Sequence, residues 1–314
     1  MNPTNSSRSI EDCIWHERVT DTARGQDYLE FSCLYPTLQK TYSWYEITAT
    51  GNNPIARQMW ANYTFMISNP IIPIITIALY GILIIYGQNY FRDRKPWNLR
   101  NALAMWNLSL AVFSFIGAFR LVPHALYLMT HLPLRENICG DAEFYFGRGS
   151  GGFWTQLFVL SKFPELMDTF FIVVHKKPLI FLHWYHHVTV LLYCWTAYVN
   201  HIPAGFIFAA MNFSVHSIMY GYYFLMAMKI KPKWFSAIYI TLAQMFQMVL
   251  GVLITLLNFY YFLSDSSGTC NLGWKALFAG FLMYGSYLFL FLQFFLGRYN
   301  FVAGANKKDK LKFF

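Results

Sequence analysis

Long stretches without a single charged side chain dominate the hydrophobic pattern of this chain. From Gln58 to Tyr90 and from Phe246 to Leu263 no residue is charged, and similar runs recur downstream. A helix needs about 20 mostly apolar residues to cross the hydrocarbon core of a bilayer. Inside lipid, a helix satisfies its backbone polar groups within the segment itself. The pattern predicts an all-α integral membrane protein with seven spans, near residues 68–91, 101–122, 153–176, 178–199, 204–228, 234–263 and 275–298. It divides the chain into an N-terminal segment (1–67), a membrane domain (68–298) and a basic tail (299–314). With a boundary near 122, Arg120 sits at the far interface, ~28 Å along the helix from Asn101, its head snorkelling to water. A second span running on toward His131 would instead enclose it.

Composition agrees with lipid as the solvent. Of 314 residues, 56% are apolar, 20% aromatic and only 12% charged, where a soluble chain would be about a quarter charged. The net charge of +9 does not point to nucleic acid, because the basic residues sit in short loops and at the tail, where they act as an orientation signal. Arg92, Arg94, Lys95 and Arg100 follow the first span. Lys176 and Lys177 follow the third, and Lys229, Lys231 and Lys233 the fifth. Arg298, Lys307, Lys308, Lys310 and Lys312 close the chain. The loops at 200–203 and 264–275 are nearly free of such residues. Seven spans with alternating basic loops predict a luminal N-terminus and a cytosolic C-terminus. Met1 to Asp12 is polar and lacks the apolar stretch of a cleavable signal, so the expectation is targeting through the first span.

The same topology puts Cys139 and Cys270 in luminal loops, and Cys13 and Cys33 in the luminal N-terminal segment, where oxidation is permitted. Cys139–Cys270 is the favoured disulfide and Cys13–Cys33 a second, with free thiols as the alternative. Cys194 falls inside a span. Asn5 and Asn62 stand in N-x-S/T glycosylation sequons on that side, Asn5 farther from the membrane; Asn107 and Asn212 match the pattern only within spans.

Ionisable residues within spans are costly, and where present they tend to line a cavity and act there. Lys162, Glu165 and Asp168 recur every three residues of the third span, which would put them on one helix face. Spacings of three or four likewise align His183, His186 and His187 on the fourth and Asn212, His216, Tyr220 and Tyr223 on the fifth, and a spacing of three aligns Thr241, Gln244 and Gln247 on the sixth. A lone histidine would read as a satisfied core residue, but four matched stripes do not. Counted from the basic loops at 1.5 Å per residue, His186 and Asp168 lie ~12 Å deep, Gln244 ~17 Å and His216 ~20 Å. The stripes therefore converge in one half of the bilayer.

A His-x-x-His-His box invites comparison with membrane desaturases, whose sites need several such boxes for two metals. Three imidazoles and a fourth, His216, could still hold one zinc ion. The metal-free alternative uses an imidazole as nucleophile on a thioester, giving an acyl-imidazole, while a second imidazole supports developing negative charge.

The stripes resemble, one by one, the motifs of the very-long-chain fatty acid elongase (ELO) family. Lys162, Glu165, Asp168 and Thr169 match its K-x-x-E-x-x-D-T element, and His183, His186 and His187 its histidine box. Asn212, His216, Met219, Tyr220, Tyr222 and Tyr223 match N-x-x-x-H-x-x-M-Y-x-Y-Y; Thr241, Gln244 and Gln247 match T-x-x-Q-x-x-Q. Met283, Tyr284, Ser286 and Tyr287 resemble a further element in the last helix. The likeness spans about 68–298 and leaves the first 67 residues uncovered.

This resemblance implies a seven-helix fold with six helices forming a barrel around an acyl tunnel closed toward the lumen. It implies a 3-ketoacyl-CoA synthase that joins acyl-CoA and malonyl-CoA and releases CO2 and CoA, with no metal and no cofactor. His186 would accept the acyl group and His216 would lie opposite it. His183 and His187, with Glu165 and Asp168, would tune and orient them. Asn212, Tyr220, Gln244 and Gln247 would contact thioester or pantetheine, and Lys162, Tyr223 and Thr241 belong to the same substrate-binding set. The box with Trp184 and Tyr185, and the run from Ala111 to Arg120, look most like the subfamily acting on saturated and monounsaturated chains of intermediate length. Lys310 and Lys312 resemble a K-x-K-x-x retrieval signal of the endoplasmic reticulum. Implied partners are membrane lipid and the other enzymes of the elongation cycle. A polytopic acyltransferase or desaturase-like enzyme, and a seven-span receptor, are the competing readings.

Overall fold

The computed structural model describes residues 11–17, 26–35, 40–43, 46, 54–232, 234–266 and 268–299. Its long helices follow the apolar runs. α1 (Phe31–Leu34) precedes α2 (Pro54–Ser68), α3 (Ile72–Phe91) and α4 (Arg100–His131). Two short helices follow, α5 (Leu134–Cys139) and α6 (Ala142–Phe146), and then α7 (Gly149–Ser161) and α8 (Met167–Val174). The chain continues with α9 (Phe181–Val199), α10 (Gly205–Ala227), α11 (Ala237–Ser264) and α12 (Trp274–Arg298). By length and composition α3, α4, α11 and α12 can each cross a membrane. The polar stripes lower the hydropathy of α9 and α10, and α7 and α8 are short because the helix is interrupted between them. Large apolar side chains such as Ile82, Leu83, Phe115, Phe246 and Phe289 face outward, as lipid contact requires and water would penalise.

Two departures from the expected spans have local causes. α4 runs to His131 rather than ending near 122, so Arg120 lies inside the helix. Its head does not reach for water: Nε donates to Glu46 Oε1 at 2.8 Å and Nη2 to the Thr41 carbonyl at 2.9 Å, so the N-terminal segment supplies the counter-charge. The expected continuous helix at 153–176 is broken by a 3₁₀ turn, Pro164–Leu166. Pro164 has no amide hydrogen and its ring crowds the preceding turn. Lys162 and Phe163 instead donate to carbonyls three residues back, at 3.3 and 3.2 Å. Lys162 caps the end of α7, Glu165 lies in the 3₁₀ turn and Asp168 in α8, so the three do not share one helix face.

Close helix contacts are made where a side chain is absent. α4 and α10 form the most extensive pairing; a Cβ at Gly117 would lie 2.7 Å from the Phe213 ring. At Gly251 of α11 it would meet the Tyr284 ring of α12 at 2.3 Å. A side chain at either crossing would have to displace the facing ring.

The N-terminal segment is not helical throughout. β1 (Ile14–Glu17) pairs antiparallel with β2 (Gln26–Leu29), Ile14 opposite Leu29, and Cys13–Cys33 is a disulfide. Phe31 stacks on His124 of α4 with ring centroids 4.7 Å apart. The buried Glu30 carboxylate accepts from Ser32 and from both the amide and hydroxyl of Ser150 on α7. These contacts clamp the segment to α4 and α7. A second disulfide joins Cys139, at the end of α5, to Cys270 before α12. Both disulfides share one face with the His201 turn; Arg92, Lys176 and Lys229 mark the opposite, basic face. Asn5, Lys233, Lys307, Lys308, Lys310 and Lys312 lie outside the described residues. Asn62 is within α2, its amide nitrogen donating to Gln156 at 3.0 Å.

Candidate functional site

A cavity of about 360 Å³ opens between α8, α9, α10, α11 and α12. Its walls carry His183, His186 and His187, Asn212, His216, Tyr220 and Tyr223, Thr241, Gln244 and Gln247, and Asp168. Most of the polar residues singled out in the sequence are thus brought together. Ile180 at the start of α9, Ala237 at the start of α11, and Arg298 and Tyr299 at the end of α12 also line it, so it reaches the basic face.

A second cavity continues from it toward the disulfide face, past Val190, Tyr193, Cys194 and Ala197 to Tyr198 and Ile202. His186, Asn212, Gln247 and Met248 belong to both walls. The polar chamber and the apolar passage therefore meet at His186. The passage measures about 50 Å³, so an entering chain would displace side chains along it. A third space, lined by Trp60, Tyr63, Arg148 and His201, shares only Phe146 and Tyr198 with the passage. These two rings are the partition between them.

Helical spacing puts the imidazoles in contact. On α9 the rings of His183 and His187 are 4.5 Å apart, and those of His186 and His187 5.5 Å. His183 Nε2 is hydrogen-bonded to Thr169 Oγ1 at 2.9 Å, and that hydroxyl also pairs with Tyr80 OH at 2.7 Å. The Tyr287 ring lies 5.1 Å from His186, and its hydroxyl donates to the His186 carbonyl at 3.2 Å. Neither the His186 nor the His216 ring has a hydrogen-bond partner among the described residues, and both face the chamber. An imidazole with an uncommitted nitrogen at the wall of a cavity can act as nucleophile or base.

The carboxylates have partners other than the imidazoles they were expected to orient. Asp168, in the first turn of α8 where the helix dipole favours negative charge, accepts from Trp106 Nε1 at 2.7 Å and from Tyr220 OH at 2.6 Å. It reaches the histidines only through Tyr220, whose ring is 5.3 Å from that of His216. Glu165 does not line the chamber; Oε1 takes Lys162 Nζ at 2.7 Å and Ser161 Oγ at 2.8 Å. Lys162 donates onward to Asn212 Oδ1 at 3.2 Å, so it positions an amide of the chamber rather than facing it. The 3₁₀ turn at Pro164 accounts for this division by rotating Glu165 away from Asp168. Thr241 is back-bonded to Ala237 at 3.2 Å, and Gln244 Nε2 points at Met219 Sδ at 3.2 Å. Among the described residues no group of three His, Cys, Asp or Glu side chains converges closely enough to hold a metal ion.

Sequence reasoning missed Trp106, Tyr80 and the Phe146–Tyr198 partition, and it placed Tyr287 in a last-helix element without its contact to His186. A buried Trp or Tyr must find a partner for its N–H or O–H, but nothing in the linear spacing says which.

Fold and site define a polytopic helical membrane protein with a histidine-walled chamber feeding an apolar passage. Residues 65–310 match the ELO: GNS1/SUR4 family, and the chain belongs to that family. It is 43% identical over 222 residues to very long chain fatty acid elongase 6 of Gallus gallus, covering 71% of this chain and 82% of the relative. It is 39% identical over 234 residues to very long chain fatty acid elongase 6 of Drosophila melanogaster, covering 74% and 73%. With fatty acid elongase 3 of Trypanosoma brucei brucei it shares 40% identity over 263 residues, covering 75% and 86%.

Proposed function

We propose that this chain catalyses the condensing step of fatty acid elongation, joining a long-chain acyl-CoA to malonyl-CoA to give 3-ketoacyl-CoA, CO2 and free CoA. Family membership and the elongase relatives support the reaction class. The observation that carries the site assignment is the position of His186 at the junction of the polar chamber and the apolar passage.

A CoA thioester entering from the basic face would thread its tail into the passage and present its carbonyl carbon to His186. The imidazole nitrogen attacks that carbon, the C–S bond breaks, and CoA leaves as thiol with the imidazole proton. Malonyl-CoA then loses CO2, and the resulting carbanion attacks the acyl-imidazole; the C–N bond breaks, 3-ketoacyl-CoA leaves, and the imidazole nitrogen takes up a proton from water in the chamber, restoring His186. His216 and the Tyr220–Asp168 pair face the same space and would support the oxyanion and enolate. Decarboxylation supplies the carbanion, so the scheme calls for no cofactor and no metal. Glu165 and Lys162 hold Asn212 in place as a buried ion pair.

The same reading has seven spans, α7 and α8 jointly making the third, in the membrane of the endoplasmic reticulum. The basic face would be cytosolic and the disulfide face luminal. Other enzymes of the elongation cycle would consume the 3-ketoacyl product. Purified protein given acyl-CoA and carboxyl-labelled malonyl-CoA tests it: labelled CO2 and CoA should appear together, in proportion to ketoacyl product. CoA release with no labelled CO2 would reject condensation.

A further inference from the structure

Outside the catalytic chamber, α3 and α8 enclose a groove of about 620 Å³ on the lipid-facing side of the bundle. Leu79, Leu83, Tyr86, Met167 and Phe170 line it. All of these apolar side chains are exposed, and α3 itself is long and apolar enough to cross a membrane. The volume lies in the usual range for a small-molecule site.

Cations stand at the basic-face end of the groove. The Arg94 guanidinium lies 4.1 Å over the ring of Tyr90, a groove residue. Lys176 Nζ donates to the carbonyls of Arg92 and Arg94 at 2.9 and 3.0 Å. That ties the turn after α8 to the turn after α3 and gathers the cationic residues at one mouth. An apolar groove in a span, ending in exposed arginines, matches an amphiphile with an acyl chain and an anionic head.

The groove also touches the catalytic machinery. Tyr80 and Thr169 are groove residues. Their hydroxyls are bonded to each other, and Thr169 is bonded to His183 Nε2, which faces the chamber on the other side of α8. We infer that this groove is a binding site for an anionic phospholipid, whose acyl chain packs against Tyr80 and holds the Tyr80–Thr169–His183 hydrogen bonds in register. This goes beyond the condensing activity, and lipid retention is measured without substrate, so a failure of the elongase reading leaves it standing.

The test uses the full chain in nanodiscs and native mass spectrometry after release, with phosphatidylserine and phosphatidylcholine of identical acyl chains. Phosphatidylserine should be retained preferentially. Arg92→Gln with Arg94→Gln should weaken that retention roughly thirtyfold, from the usual contribution of two cations near a lipid headgroup. Leu83→Trp, at an outward position that does not pack in the core, should obstruct the groove and weaken retention of both lipids. Equal retention of the two lipids, or retention unchanged in Leu83→Trp, overturns the site. Displacement of phosphatidylserine by free CoA would assign the arginines to CoA phosphates and overturns it as well. For the link to His183, phosphatidylserine should raise condensing turnover in the parent chain and not in Tyr80→Phe; an equal rise in both refutes the link.

Discussion

Replacing Tyr198 by alanine should lengthen the acyl chain this enzyme accepts. The passage runs beside α9 from His186 to Tyr198, twelve residues or about 18 Å at helical rise. An extended hydrocarbon advances ~1.3 Å per carbon, from the ordinary C–C bond length, so about fourteen carbons fit beyond the thioester before the chain meets the Tyr198 and Phe146 rings. Removing the Tyr198 ring joins the passage to the next space, which reaches His201. That is three positions further along the chain, or about 4 to 5 Å, enough for about three more carbons. Two newly buried methylenes contribute ~1.6 kcal/mol, roughly fifteenfold in relative kcat/KM for a substrate two carbons longer. The assay is competition among saturated acyl-CoAs of graded length with labelled malonyl-CoA, products being resolved by mass. Tyr198→Phe, which loses only the hydroxyl bonded to Gln156 at 3.0 Å, should keep the parent preference. An unchanged length profile in Tyr198→Ala, at preserved total activity, would refute the idea that this partition ends the tunnel.

Lys162→Met leaves the Glu165 carboxylate buried without its counter-charge, since the pair is only 2% and 5% exposed; it should lower stability by about 3–5 kcal/mol. Adding Glu165→Leu should recover most of the loss in thermal or denaturant unfolding. Serine at Cys139 and Cys270 opens a loop of 131 residues and should cost about 5 kcal/mol by loop entropy; unreduced peptide mapping of the parent should show the linked pair. Glu30 gives a pH signature. Burial pushes its carboxyl above the ordinary value, against the lowering effect of the Ser32 and Ser150 hydrogen bonds. Its folded pKa thus exceeds its unfolded one, so this contribution to stability is greatest below the unfolded pKa and declines as pH rises through the folded pKa. Glu30→Gln should flatten that part of the curve of melting temperature against pH, and an unaltered slope would count against the assignment.

Much of the chamber was legible because helix geometry converts spacing into facing: His183, His186 and His187 share a wall, as do Asn212, His216 and Tyr220. The break in the third span was not legible, because where a proline such as Pro164 interrupts a buried helix depends on neighbours that can satisfy the freed carbonyls. That break decides which carboxylate meets the chamber. The partition was hidden for a different reason: Tyr198 in the passage wall and Tyr86 on the outer surface stand in equally apolar contexts. Only the packing of α9 against its neighbours distinguishes them. The N-terminal clamp was hidden because Glu30 and Glu46 find Ser150 and Arg120 more than seventy residues away.

Intact-protein and peptide mass spectrometry after incubation with acyl-CoA alone examines the acyl-histidine most directly. The account predicts one acyl adduct on the peptide bearing His186, formed in step with CoA release, and neither in His186→Ala. CoA released without an adduct on His186, or an undiminished release in His186→Ala, would remove that residue as the nucleophile.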